Sequence, residues 1–157
     1  MTTSAPDHDD LELAYLQRRQ VHAQWAPFLA ALAAELSAVA DDAGAAAFMR
    51  ATGARVARQH PLGKLETLEE LELRINAVLA HMDWGWTQLD DGLDHIVIIH
   101  GASPSVLAGD KEGVWPGLMA EVLAGAYGAW LSEQGSPGRV TTCLDPRARP
   151  LVFEHRT

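Results

Sequence analysis

The chain is poor in cysteine and in basic residues, and it has no long hydrophobic run. Its single cysteine, Cys143, cannot form an intrachain disulfide. Lys and Arg number 12 against 21 Asp and Glu, for a formal net charge of −9. That balance argues against a nucleic-acid partner, which needs a basic face for phosphate, and equally against an anionic membrane surface. No stretch of about 18 apolar residues is present to span a bilayer, so direct membrane insertion is not expected. The opening MTTSAPDHDD has neither the basic start nor the apolar middle of a signal peptide, which makes the cytoplasm the expected compartment and the periplasm the alternative. Catalytic signatures are also missing. There is no phosphate loop ending in Gly-Lys-Ser/Thr, no dinucleotide glycine fingerprint and no helical histidine pair of a zinc hydrolase. Ser103 in Gly-Ala-Ser-Pro is not a nucleophile elbow. No catalytic residue, cofactor site or metal site is expected.

What is present reads as one soluble globular domain of 157 residues, 48% hydrophobic and 21% charged. Residues 1 to about 10 read as a mobile tail, and Leu11 to Gln24 as a short amphipathic helix. Pro27 suits the first turn of a second helix running to about Ala40, with Phe28, Leu32, Leu36 and Val39 as its apolar stripe. A third helix spans about Ala45 to Gln59, with Phe48, Met49, Thr52 and Val56 on one face. Thr67 and Glu70 form a capping-box signature for a fourth, continued by Leu71, Ile75, Val78 and Met82 and closed near Gly85. The period then changes. Residues 86–89 and 94–100 read as two strands joined through Asp90, Asp91 and Gly92. The second strand is apolar on both faces, Ile96 and Ile98 against Val97 and Ile99, and so requires cover on both sides. Pro116 opens a fifth helix to about Glu133, and residues 139–144 and 150–155 read as two last strands around Asp145–Pro146. The expected fold is α+β, a single domain of four to five helices packed with a small, mainly antiparallel sheet.

Several residues invite a chemical reading. His81, Asp83, Asp90, Asp91, Asp94, His95 and His100 fall within twenty residues, a composition suited to a metal or an acid–base pair. Against that, the aspartates are turn formers, and His95 and His100 have opposite parity on a strand and cannot chelate together. Cys143 reads as a buried strand residue. Trp84 and Trp86 flank Gly85 at the helix-to-strand junction, either closing the core there or presenting a surface for a sugar ring. Tyr15 is the aromatic residue most exposed by its position in the N-terminal segment. Gly125 and Gly128, with Gly117, Ala120, Ala124 and Ala129, leave the fifth helix smooth. Such a helix permits close approach of another backbone, either within the fold or across a dimer, and each glycine costs about 1 kcal/mol relative to alanine.

Two segments carry a family resemblance. The first is Asn76-Ala77-x-Leu79-Ala80, then Trp84-Gly85 and Leu89-Asp90; the second is Val122-Leu123-x-Gly125-x-Tyr127-Gly128-x-Trp130. With Arg50, Gly53 and Ala57 upstream, they resemble the D subunit of bacterial cellulose synthase operons, from about Pro27 to Glu133. The resemblance implies a protein without enzymatic activity that forms a homo-octamer, a tetramer of dimers. It implies an accessory role to the cellulose synthase complex, ordering β-1,4-glucan chains through passages partly lined by N-terminal segments. It also implies, for some members, an intracellular scaffold built with a proline-rich accessory subunit. Tyr15, Trp84 and Trp86 are then the candidates to border a glucan passage or a subunit interface. Residues 1–25 are expected to act as an arm and 26–157 as the domain proper. A small-ligand sensory or adaptor domain, with a pocket enclosed by the helices, is the alternative, and a hydrolase built on the His/Asp residues a third.

Overall fold

The computed structural model describes residues 8–143 and 145–156. Among these lie five helices: α1 (His8–Gln20), α2 (Ala26–Val39), α3 (Asp42–Gln59), α4 (Leu68–Met82) and α5 (Trp115–Glu133). The strands are β1 (Trp86–Asp91), β2 (Ile96–Gly101), β3 (Arg139–Thr142) and β4 (Leu151–Arg156). They form one antiparallel sheet in the order β1-β2-β4-β3, giving the expected α+β domain.

The helix ends follow from local chemistry. Thr67 and Glu70 make the anticipated reciprocal cap at the start of α4, and the Asp41 carboxylate accepts from the Gly44 amide at 2.8 Å to start α3. Prolines occupy the first turns of α2 and α5, where no amide is missed. The centre of the molecule is α5, whose Leu123, Tyr127, Trp130 and Leu131 are fully buried. One side of it meets the inner face of the sheet through Ile98, Val140 and Phe153, while α3 crosses its other side. That crossing explains the small residues of α5. A β-carbon at Gly53 would overlap the Val122 carbonyl, and one at Gly125 would overlap the Arg50 carbonyl. The two glycines face each other's helices within the fold.

Helix side chains bond to backbone groups on both edges of the sheet. Asn76 of α4 donates to the Thr87 carbonyl and accepts from the Thr87 amide, each at 2.8 Å, so one side chain imitates a neighbouring strand. Glu72 accepts from the Leu89 amide at 2.7 Å. On the far edge Arg50, paired with Glu121 at 2.5 Å, donates to the Val140 carbonyl at 2.6 Å. The Thr87 and Leu89 groups of β1 and one carbonyl of β3 are thereby withheld from pairing with another strand.

The structure corrects several expectations. Asp90 and Asp91 belong to β1, paired with Val97 and Ile96, and the chain reverses beyond them, where the Gly92 amide donates to the His95 carbonyl. The first helix ends at Gln20, not Gln24. The α2 stripe faces the core only in part: Leu36 packs against it, but Phe28, Leu32 and Val39 are exposed, and the helix's fully buried residues are the small Ala26 and Ala33. Met49 is buried but Phe48 beside it is exposed. Cys143 is exposed, because it follows β3 on the sheet's outer side. The β3 strand stops at Thr142, and residue 144, its expected end, lies outside the described residues, as does the start of the N-terminal arm. On the outer sheet face Val97, Ile99 and Val152 are only partly covered, and among the described residues no helix lies over them.

Candidate functional site

The α4–β1 corner is built by backbone conformation. Asp83 ends α4 in the left-handed region at φ 56°, and Gly85 follows at φ 91°. A side chain at Gly85 would also collide with the carbonyl oxygens of Gly101 and Ala102, so this position requires glycine. The turn sends Trp84 and Trp86 to different places. Trp84 is partly buried against the core, and its carbonyl accepts from His100 Nε2 at 2.9 Å. Trp86 is 48% exposed, its indole seated on Gly101, where any β-carbon would strike the ring.

Behind the corner, His100 is buried with Tyr127. A carbonyl only accepts, so the proton of the imidazole sits on Nε2. Nδ1 then accepts from the Tyr127 hydroxyl at 2.5 Å. Burial pushes the His100 pKa down to about 4, opposed in part by the Trp84 carbonyl, and pushes the Tyr127 phenol up. The histidine is neutral at physiological pH and fully hydrogen-bonded. Tyr127 packs edge-on against His100 and Trp130, with ring centroids 5.9 and 6.0 Å away, and Phe153 tilts against it at 5.7 Å. These polar groups are spent on the core.

Trp86 borders an open cleft of about 710 Å³ between α1 and the end of the sheet, shared with Leu16, Gln17, Asp83, Arg149 and Pro150. Gln20 bridges its floor, donating to the Ala102 carbonyl at 2.5 Å. An exposed indole beside a carboxylate, a guanidinium and amides is a surface suited to stacking and hydrogen bonding at once. Tyr15 does not join it. It lies exposed on another side of α1, where its hydroxyl accepts from Arg19 at 2.9 Å. The three aromatic residues singled out in the sequence therefore occupy three separate surroundings. Asp83, Gln17 and Arg149 were not anticipated as cleft residues. Asp83 carries a signal in its place just before Gly85, whereas Arg149 reaches the site only through long-range sheet pairing.

The His/Asp residues are dispersed. His95 contacts Asp94 at 2.7 Å at the hairpin end, where this hydrogen bond and Arg156 hold the Asp94 carboxyl below its usual range. His81 lies beside His60, with ring centroids 6.2 Å apart, and His100 faces the core. Among the described residues no three metal-binding side chains converge. Burial and the neighbouring Glu154 carboxylate raise the Cys143 thiol's pKa, keeping it protonated and a weak nucleophile.

An α+β domain with His100 and Tyr127 paired inside its core and its apolar surface arranged in open clefts is defined by packing more than by a reactive centre. The family model for the cellulose synthase D subunit matches residues 11–156, and the chain belongs to that family. It is 35% identical over 89 residues to cellulose synthase operon protein D of Komagataeibacter xylinus and to the protein of the same name in Komagataeibacter sucrofermentans. Those alignments cover 54% of this chain and 55% of each relative, so the chain spans about half the length of the curated relatives it matches.

Proposed function

We propose that the chain is a non-catalytic, self-assembling accessory subunit of bacterial cellulose biosynthesis, which helps organise synthase complexes and the glucan chains they release. The observation that carries this reading is the apolar surface left open. The outer sheet face offers the partly exposed Val97, Ile99 and Val152, α2 offers the exposed Phe28 and Val39, and helix side chains bond to backbone groups of both edge strands. Association then proceeds through faces and grooves, as in a homo-octamer assembled from dimers, rather than by strand addition. Partners include the synthase complex and a proline-rich accessory subunit. The cytoplasmic side is the proposed compartment, with the periplasm as the alternative. Contact with β-1,4-glucan falls to the α1 cleft, where Trp86 offers an indole face for a glucose ring and Asp83, Gln17 and Arg149 hydrogen-bond hydroxyls. The N-terminal segment through α1 serves as an arm that walls this cleft.

The test is complementation in a cellulose-producing host lacking the gene. Membranes of the deletion strain should retain glucan polymerisation while the secreted cellulose loses crystalline order. The Trp86→Ala protein should assemble normally yet fail to restore that order. Loss of polymerisation itself would contradict a non-catalytic role, and full restoration by Trp86→Ala would remove glucan from the α1 cleft.

A further inference from the structure

A second cleft adjoins the first at Gln20. It is an apolar groove of about 470 Å³ between α2, α3 and α5, lined by Leu29, Leu32, Phe48, Val56, Trp84 and Met119. Phe48, at 52% exposed, stands on its rim, as does Trp25. Among the described residues no helix or strand of the same chain fills it, and none packs closely against α1. One side of α1, with Leu13, Leu16, Gln17 and Gln20, borders the cleft at Trp86. Another side carries Leu11, Ala14, Tyr15 and Arg18 at positions i, i+3, i+4 and i+7, the spacing of a docking stripe. Leu11 and Tyr15 are more than half exposed.

We propose that this stripe docks into the α2–α3 groove of a second copy of the chain, each copy exchanging its α1. The proposal rests on the self-assembly argued above and specifies its contact. The connection between α1 and α2 argues against docking within one chain. Gln20 is tied to the Ala102 carbonyl, Val21 packs on the core, and the Trp25 and Ala26 amides both donate to the His22 carbonyl, forming a tight turn. Gln20, Val21 and His22 themselves form one end of the groove. The arm is therefore rooted at the end of a groove that it leaves and cannot re-enter. A two-fold axis near this root lays each arm along its partner's groove, so one contact is made twice and the pair closes. Polar side chains then remain at the ends, and Leu11 and Tyr15 meet Phe48 and Leu32 at the centre.

Inter-chain crosslinking tests this with the full-length chain. In a Cys143→Ser background, a Tyr15→Cys protein is mixed with a Phe48→Cys protein under mild oxidation. All the substituted positions are exposed, so folding is expected to be unaffected, and circular dichroism checks it. A disulfide-linked dimer should form well above the level given by Tyr15→Cys mixed with Leu73→Cys, whose position on α4 is exposed and away from the groove. Phe48→Asp should also reduce the assembled mass in light scattering. An assembled protein that gives no more crosslinking than the Leu73 control overturns the arm exchange and leaves self-assembly standing. A protein that is monomeric throughout overturns both.

Discussion

At the scale of single residues, His100 links the corner to the core and gives the protein a pH dependence. Folding holds its pKa at about 4, below the usual value near 6.5, because burial disfavours the imidazolium. The unfolded chain thus binds a proton more readily than the folded one between those two values. The stability that the neutral histidine retains at pH 7 is lost as pH falls from 6.5 towards 4, by roughly 3 kcal/mol over the whole window. Burial shifts His155 in the same direction. Urea unfolding at pH 7 and pH 5 should show a clearly lower midpoint at pH 5. Equal midpoints would mean that His100 is solvated or paired differently. The sequence exposed part of this. Strand parity separated His100 from His95, but the Tyr127 hydroxyl lies 27 residues away, and only the packing of α5 on the sheet brings it to the imidazole. Asn76 was visible only as a residue of a family segment. Its role as a stand-in strand depends on the register of α4 against β1, which no local pattern encodes.

At the scale of elements, the helices were legible because their signals are local. Thr67 with Glu70, and the prolines at the starts of α2 and α5, act within one turn. Sheet order is set by contacts between distant segments, and nothing in the strand sequences specified that β4 lies between β2 and β3. The α2 stripe misled for a related reason, since an apolar stripe records the need for cover but not which chain supplies it. Glycines on α3 and α5 make this concrete. In a helix interior, alanine is ordinarily better than glycine by about 1 kcal/mol. At Gly53 and Gly125 the added methyl meets backbone, so Gly53→Ala or Gly125→Ala should destabilise the fold by several kcal/mol as the two helices are forced apart. Gly117 has nothing within 4 Å, and Gly117→Ala should stabilise by up to about 1 kcal/mol. Thermal unfolding of the three variants checks the opposite signs. A stabilised Gly53→Ala protein would contradict the close α3–α5 crossing.

At the scale of the whole molecule, the layers leave apolar surface open. The sheet is covered on one face, α2 leaves Phe28, Leu32 and Val39 exposed, and α1 stands beside a cleft. In the proposed assembly, the bonded groups on the edge strands act against strand-to-strand growth, and the grooves and faces are the contact surfaces. A formal charge of −9 adds protection from non-specific clumping, because like-charged copies repel one another. Self-assembly is the property on which the scaffold, the arm exchange and the placement of the α1 cleft all depend. Light scattering of the purified full-length chain at micromolar concentration measures it most directly. The expected result is one species of several 17.0 kDa protomers, near the mass of an octamer. A stable species at 17.0 kDa would contradict it.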